Sequence, residues 1–304
     1  LLTLVGTDNG TLLWLLPLLT DENFRRRITG KVRDRMALRP FWEQFEALRD
    51  TEKRQQISPV LNKLRQLTLR PGLRNILGQA NPKFSLTDLF YKRKIVLIPL
   101  NKGLTGGESA RLLGSLIVGL TWTLALSRAG IPAEKRHIVE IYIDELQDYL
   151  SLPTDLSDAL AQARGLGVGL TLAHQYRDQL PINIRSGIDA NARNKIVFGL
   201  NSRDAKDMAA MAPELTAEDF MALPRYQIYA SFQSNGRNTG WIQGKTLPPP
   251  STLRDAADLK ARSQAAYGVP AEQVEEEYLS IFTINNTAAE ENPGDTNIGR
   301  KKRA

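Results

Sequence analysis

The seven residues VEIYIDE, numbers 139–145, decide the fold prediction for this chain. They form a short, nearly continuous apolar run that ends in two adjacent carboxylates, Asp144 and Glu145. Such a run is typical of a buried parallel strand in an α/β sheet, and these sheets place their ligands at the carboxyl ends of the strands. The first carboxylate can hold a hydrated Mg²⁺ beside nucleotide phosphates, and the second can polarise the attacking water. The alternative is a strand that merely ends in polar residues at the entrance to a loop.

The residues that follow this strand add two further candidates. The apolar spacing over 155–164 predicts a helix, and Arg164 stands at its end, before two glycines that should terminate it. A second buried strand is predicted over 168–173, and it ends in His174 and Gln175. Gln175 would sense the γ-phosphate, and Arg164 could reach the phosphate of a neighbouring subunit. Together with the carboxylate pair, these residues favour nucleotide hydrolysis.

This order of residues resembles the second half of a HerA/FtsK-type P-loop ATPase, in particular the TraG/TraD-like coupling proteins of conjugative type IV secretion. In that family the Asp-Glu pair is the Walker B motif, the arginine of "aRxxG" is a proposed arginine finger, and the glutamine of "AHQ" is a sensor. The resemblance implies catalytic roles for Glu145, Gln175 and Arg164. It also implies that Asp144 holds the metal and that Asp144 and Gln175 contact the nucleotide.

The resemblance extends over about residues 10–280. It implies an α/β fold with the C-terminal half of a RecA-like P-loop NTPase core, preceded by a helical insertion. It further implies ATP and Mg²⁺ as cofactors, DNA bound without sequence specificity, and a homo-oligomer, most simply a hexamer. A relaxase and a type IV secretion channel would be further partners.

Composition restricts the function classes only coarsely. Of the 304 residues, 42% are apolar and 24% are charged, which indicates a globular chain. The net charge of +7 suits a polyanionic partner, although this balance is also common in proteins that never bind nucleic acid. The absence of cysteine excludes disulfides and thiolate metal sites, and two histidines disfavour a histidine-built site. We predict a cytoplasmic location, with attachment to the inner face of the membrane left to residues upstream.

Three segments are predicted along the chain. Residues 1–90 are the mostly helical insertion, and residues 91–247 are the C-terminal half of the ATPase core. Residues 248–304 are a helical extension followed by a disordered basic tail. Within the core we predict a strand over 94–100 and a hairpin around Asn235-Gly236 that closes the edge of the sheet.

Basic residues outside these motifs have two interpretations each. The arginines between positions 25 and 35 and the basic run 300–303 are interpreted as solvated surface, with nucleic-acid contact as the alternative. Arg193 and Arg203 are alternative candidates for an arginine that acts on a neighbouring subunit, and surface salt bridges are the simpler interpretation for both.

A phosphate-binding loop is missing. No G-x-x-x-x-G-K-[ST] sequence occurs in the 304 residues, and the glycines at 106 and 107 lack the lysine that would follow them in such a loop. We therefore interpret that segment as a strand-to-helix turn rather than a nucleotide cradle. Because the chain opens with Leu1, we expect it to be a piece of a longer protein with a Walker A motif upstream. This piece alone should not hydrolyse ATP, and no transmembrane segment is predicted within it.

Two classes of function follow. The first is a motor that hydrolyses ATP to pump DNA, as a conjugative coupling protein or as a HerA/FtsK-type translocase in repair or segregation. The second is a non-catalytic interaction or DNA-binding module that kept this fold. The missing phosphate loop motivates the second, whereas the presence of Asp144, Glu145 and Gln175 in their expected places argues against it.

Overall fold

The computed structural model describes residues 1–150 and 156–290, and these fall into two compact units. The helical unit comprises residues 1–84 and 256–290, and the sheet unit comprises residues 85–255. The basic run 300–303 and the predicted disordered tail beyond residue 290 lie outside the described residues. The division of the chain at residues 90 and 247 stays a prediction.

Helices account for most of the regular structure. The α-helices are α1 Leu2–Val5, α2 Leu15–Thr20, α3 Glu22–Thr29, α4 Leu38–Ala47, α5 Asp50–Thr68, α6 Pro71–Leu77, α7 Asp88–Tyr91, α8 Lys102–Thr105, α9 Gly107–Ser127, α10 Leu156–Ala163, α11 Ile182–Asn191, α12 Ser202–Ala209, α13 Ala217–Met221, α14 Ala256–Tyr267 and α15 Ala271–Glu290. The strands are β1 Val139–Ile143, β2 Val168–Leu172, β3 Lys195–Val197, β4 Gln227–Ser234 and β5 Arg237–Lys245. The first 90 residues are therefore mostly helical, as predicted.

The core of the helical unit is aromatic. Phe24, Trp42 and Phe45 pack with Ile281 of α15. The carboxylate of Asp21 starts α3 because it accepts the Phe24 backbone N–H at 2.9 Å, which satisfies one of the donors left free at a helix start. The N-terminal and C-terminal helices thus share one core.

Two of the early arginines are paired with carboxylates. Arg25 is only 4% exposed, and its guanidinium binds Glu46 at 2.5 Å. Arg26 pairs with Glu22 at 2.5 Å on the surface of α3. A solvated face is therefore the wrong description of Arg25, because burial against α4 has taken its side chain out of water.

The sheet unit is built on the predicted pair of parallel strands. β1 and β2 run side by side in register, from Val139 opposite Val168 to Ile143 opposite Leu172. Helices α9, α10 and α11 supply the core that covers one face of this pair, including Trp122, Ala159 and Ile184. The two strands therefore end at the same edge.

The hairpin prediction is confirmed, but its position is not. β4 and β5 are joined through Asn235 and Gly236, which have φ of 51° and 77°, so this turn uses the left-handed backbone that an Asn-Gly pair tolerates. β3 pairs with β4, giving an antiparallel sheet of order β3-β4-β5 around the buried ring of Phe220. Among the described strands this sheet is separate from the β1-β2 pair, so the hairpin does not close the edge of the parallel sheet.

The strand predicted over residues 94–100 is wrong. The segment is a continuous apolar run after Lys94, but it forms no ladder with any strand in the described parts of the chain. Ile95 and Leu97 are 92% and 85% exposed. Sequence pattern favours an extended backbone here, whereas a strand also requires a neighbour whose N–H and C=O groups face it.

Residues Gly107–Gly130, which contain α9, are long and apolar enough to cross a bilayer, with a mean hydropathy of 1.4. This contrasts with the expectation that the piece has no such segment. The core helix of a water-soluble domain passes the same test, and α9 contributes Trp122 and Ala125 to the core of the sheet unit. Composition alone therefore does not assign α9 to a membrane.

Candidate nucleotide site

The two parallel strands bring the predicted site residues together. Ala173, directly after β2, donates its N–H to the Ile143 carbonyl at 2.9 Å, and Leu146 donates to the Ala173 carbonyl at 2.9 Å. These bonds tie the segment after β1 to the segment after β2. Glu145 and Gln175, which are 30 residues apart in sequence, consequently meet at one edge of the sheet.

Glu145 is the centre of this edge. Its Oε1 accepts a hydrogen bond from the Gln175 amide at 2.7 Å, and its Oε2 accepts one from the amide of Gln147. The Gln175 amide and then the Gln147 amide hold the pKa of the Glu145 carboxyl below its ordinary value, because both donors favour the charged form. Glu145 is therefore ionised at neutral pH, as a residue that polarises water must be.

The backbone of Glu145 is strained. Its φ of 52° and ψ of 50° are left-handed, which a residue with a Cβ adopts at a cost. A buried turn, Leu146–Tyr149, follows immediately, and Leu146 is only 1% exposed. The anchored turn holds Glu145 in this conformation and aims its carboxylate towards Gln175. Backbone strain of this kind tends to occur at functional sites.

Asp144 suits a metal that arrives with a nucleotide. Its carboxylate is exposed, and Oδ1 accepts the Glu145 backbone N–H at 3.1 Å. No group of three or more His, Asp or Glu side chains able to hold a metal ion occurs among the described residues. Mg²⁺ is commonly held by one or two carboxylates together with phosphate oxygens and water, so a single carboxylate fits this type of site. It does not fit a metal site built from protein ligands alone.

Sequence reasoning missed the cationic neighbours of this edge. Asp148 is buried and forms ion pairs with Lys102 of α8 and with Arg111 of α9, the latter at 3.4 Å. The Asp148 contact raises the pKa of Lys102, and the charge of Lys102 also helps to keep Glu145 ionised. In the sequence, the turn-forming residues Asn101-Lys102-Gly103 were the only sign of a cation near a strand end. The fold shows that Lys102 pairs with Asp148.

A cleft opens beside these charges. It has a volume of ≈ 1530 Å³ and lies between residues 94–103, α9 and β1, and it extends to Asp144, Glu145 and Asp148. Most of its lining is aliphatic and aromatic, with the carboxylates at one end. This arrangement places the candidate site at the rim of an apolar groove.

The structure does not bring Arg164 to this edge. Arg164 follows α10 and precedes β2, whereas Gln175 follows β2, so the two residues lie at opposite ends of that strand. The Arg164 side chain is exposed and forms no ion pair with other described residues. Arg203 does form the expected surface salt bridge, with Asp178, and Arg193 is exposed. Arg164 therefore does not reach the site of its own chain.

His174 is a structural neighbour of the site. Burial lowers the pKa of its imidazole, and its Nδ1 has no hydrogen-bond partner in the parts of the chain that the structure describes. The ring is consequently neutral at neutral pH, and the charged groups that act on it are Arg177, Asp204 and Asp189.

Comparison with known proteins identifies the fold. No protein-family model and no curated protein sequence matches this chain. Solved structures of the plasmid conjugative coupling protein TrwB do match. Its complex with the ATP analogue ADPNP has a TM-score of 0.54 at 19% identity, covering 84% of this chain and 62% of that one. The unbound form gives 0.51 at 20% identity, covering 84% and 64%, and the complex with ADP and Mg²⁺ gives 0.50 at 19%, covering 84% and 64%.

These similarities concern the fold, because the identities are low. This chain spans a little under two thirds of the TrwB structures that it matches. The α/β arrangement of the chain is thus similar to that of the TrwB structures, which confirms the fold that the sequence resemblance implies.

Proposed function

We propose that this chain carries half of a nucleotide-hydrolysing site in a DNA-translocating motor, most simply a conjugative coupling protein. The observation that carries the proposal is the contact between Glu145 and Gln175 at the carboxyl ends of two parallel strands. This is where open α/β sheets bind their ligands. The solved TrwB structures with ADP and Mg²⁺ and with ADPNP support nucleotide as the ligand.

Each residue has a specific task in this proposal. Asp144 would hold Mg²⁺, which neutralises phosphate charge when it is bound with the nucleotide. Glu145 orients and polarises the attacking water, and its lowered pKa keeps it ionised for that task. The amide of Gln175 donates a hydrogen bond to Glu145. A γ-phosphate that accepts this donor in place of Glu145 would break the contact, so Gln175 can sense whether the γ-phosphate is present. Arg164 serves the site of the next subunit in a homo-oligomeric ring, because it lies away from its own.

A phosphate-binding lysine must come from residues other than these 304, since no P-loop sequence occurs among them. Attachment to the inner face of the membrane is part of this proposal and follows from the coupling-protein assignment alone. The net charge of +7 suits DNA held through its phosphates, which gives binding without sequence specificity. A secretion channel and a relaxase are further proposed partners, and they follow from the coupling-protein assignment alone.

Nucleotide binding separates the motor from a non-catalytic module. The complete natural protein should bind Mg-ATP, as measured by calorimetry, and Asp144→Asn should weaken the binding of Mg-ATP more than that of ATP in chelator. Absence of binding at millimolar Mg-ATP would favour the interaction module instead.

Mixing variants tests the role of Arg164. Arg164→Ala and Glu145→Gln should each abolish turnover, for different reasons. If Arg164 acts on the neighbouring subunit, mixed rings contain some sites with an intact Glu145 and an intact neighbouring Arg164, so mixtures of the two inactive proteins regain part of the activity. Full activity of Arg164→Ala alone would contradict this role.

A further inference from the structure

The segment that carries Gln175 is anchored by one largely buried arginine. Arg177 lies two residues after Gln175, and its side chain is only 12% exposed. Its guanidinium binds Asp189 of α11 through two hydrogen bonds, Nη1 to Oδ1 at 2.9 Å and Nη2 to Oδ2 at 2.6 Å. Its Nε reaches Asp207 of α12 at 3.3 Å. A two-point arginine–carboxylate contact fixes orientation as well as distance.

The backbone of Arg177 is anchored as well. Its N–H donates to Oδ2 of Asp204 at 3.2 Å, and Asp204 is itself only 3% exposed. Asn201, which begins α12, donates its side-chain amide to the same Asp204 oxygen at 3.0 Å. One residue thus joins the Gln175 segment to two helices by both its side chain and its main chain.

We infer that Arg177 is a positioning residue that sets Gln175 against Glu145 and links this contact to α11 and α12. The path is short and continuous: Glu145 to Gln175, two residues along the chain to Arg177, then to Asp189 and Asp207. A displacement of Gln175 must either pull on these helices or break these partly buried ion pairs. The effect on turnover rests on the proposed function, whereas the link between Gln175 and the helices does not.

The competing explanation is that Arg177 only stabilises the fold. Buried ion pairs are costly to break from one side, so loss of stability alone would not separate the two roles. The test therefore has to measure Gln175 directly, together with a region that a purely structural defect would also disturb.

The experiment is nuclear magnetic resonance of the 304-residue chain without nucleotide. The side-chain amide signals of Gln175 are identified by their loss in Gln175→Ala. In Arg177→Gln we expect these signals to move towards solvent-like values and to exchange about tenfold faster. Backbone amides of Ile141 and Leu170, in the β1-β2 pair, should keep their exchange rates.

Matched variants keep this test decisive. Asp189→Asn should shift the Gln175 signals as Arg177→Gln does. Arg177→Lys should retain the wild-type signals only in part, because lysine cannot make the two-point contact. Arg203→Gln is the control, since Arg203 also reaches this turn but is 74% exposed. If Arg177→Gln unfolds the sheet unit, Asp189→Asn and Arg177→Lys decide the result. Unchanged Gln175 signals in either folded variant would overturn the inference.

Kinetics then connect the link to turnover. In the complete natural protein, Arg177→Gln should lower kcat while the KM for ATP stays within about twofold, because Arg177 does not touch nucleotide. Turnover that survives Glu145→Gln would refute the proposed function and leave the resonance result intact. An unchanged kcat in Arg177→Gln, with Glu145→Gln inactive, would refute only the positioning role.

Discussion

Replacing Gly114 by alanine should disturb the turn that holds Glu145. Gly114 is buried within α9, and a Cβ added there would lie 2.3 and 2.4 Å from two ring carbons of Tyr149 and 2.8 Å from a methyl of Leu100. Tyr149 is the last residue of the turn Leu146–Tyr149, which directly follows Glu145. The small residue therefore allows the turn to pack closely against the helix.

Two effects oppose each other in Gly114→Ala. Alanine in a helix interior is favoured over glycine by about 1 kcal/mol. Overpacking a well-filled core costs about 1–3 kcal/mol, and here several neighbours lie well inside normal contact distance. The ring of Tyr149 is rigid and partly buried, so it can yield only by moving the turn. Because these contacts are so short, the overpacking cost falls in the upper part of that range, about 2–3 kcal/mol, and we expect a net loss of about 1–2 kcal/mol in the sheet unit.

Hydrogen exchange measured on peptides tests this prediction. A local measurement is needed because a chain with two units need not unfold in one step. Peptides spanning residues 139–150 should exchange roughly ten times faster in Gly114→Ala, while peptides from the helical unit stay unchanged. Gly107→Ala is the control in the same helix, since nothing lies within 4 Å of a Cβ at that position. Equal protection in Gly114→Ala and the wild type would show that the turn is not packed as described.

Three further predictions concern charge and helix ends. Gln175→Ala should raise the pKa of Glu145, because its amide is the main group lowering it, so the acidic limb of the activity–pH profile moves to higher pH; an unshifted limb would contradict this. The contact with Arg25 lowers the pKa of Glu46, so its stabilisation is complete above the ordinary value of 4.5 and is lost as pH falls through the lowered value. Glu46→Gln should therefore destabilise the helical unit by about 1 kcal/mol at neutral pH, a difference that disappears in acid denaturation series and that would refute the linkage if it persisted. Asp21→Ala should cost about 1 kcal/mol in thermal or urea unfolding of the same unit through loss of the helix cap, and no change would show that the cap is replaced by water.

Local sequence patterns predicted the elements more reliably than their partners. The alternation and termini of VEIYIDE and VGLTL identify two strands, and the cap at Asp21 and the Asn-Gly turn are set by residues within four positions. The segment 94–100 has an equally good pattern and is still unpaired. Strand pairing depends on distant residues, so periodicity cannot settle it.

The same distinction applies to the site. Asp144, Glu145 and Gln175 could be predicted together because parallel strands end at one edge. The contacts of Arg177 with its carboxylate partners could not, because Asp189 and Asp207 are brought to it by two separate helices. The solvated surface predicted for Arg25 is wrong for the same reason, because only the packing of α3 on α4 buries its side chain.

Turnover by Glu145→Gln in the complete natural protein tests the central claim most directly. The substitution keeps the size of the side chain and removes the charge that polarises water in the proposed function. The account predicts that Mg-ATP binding is retained and that the steady-state rate of phosphate release falls by about a hundredfold or more. An unchanged rate would contradict the assignment of Glu145, and with it the view that this edge of the sheet hydrolyses nucleotide.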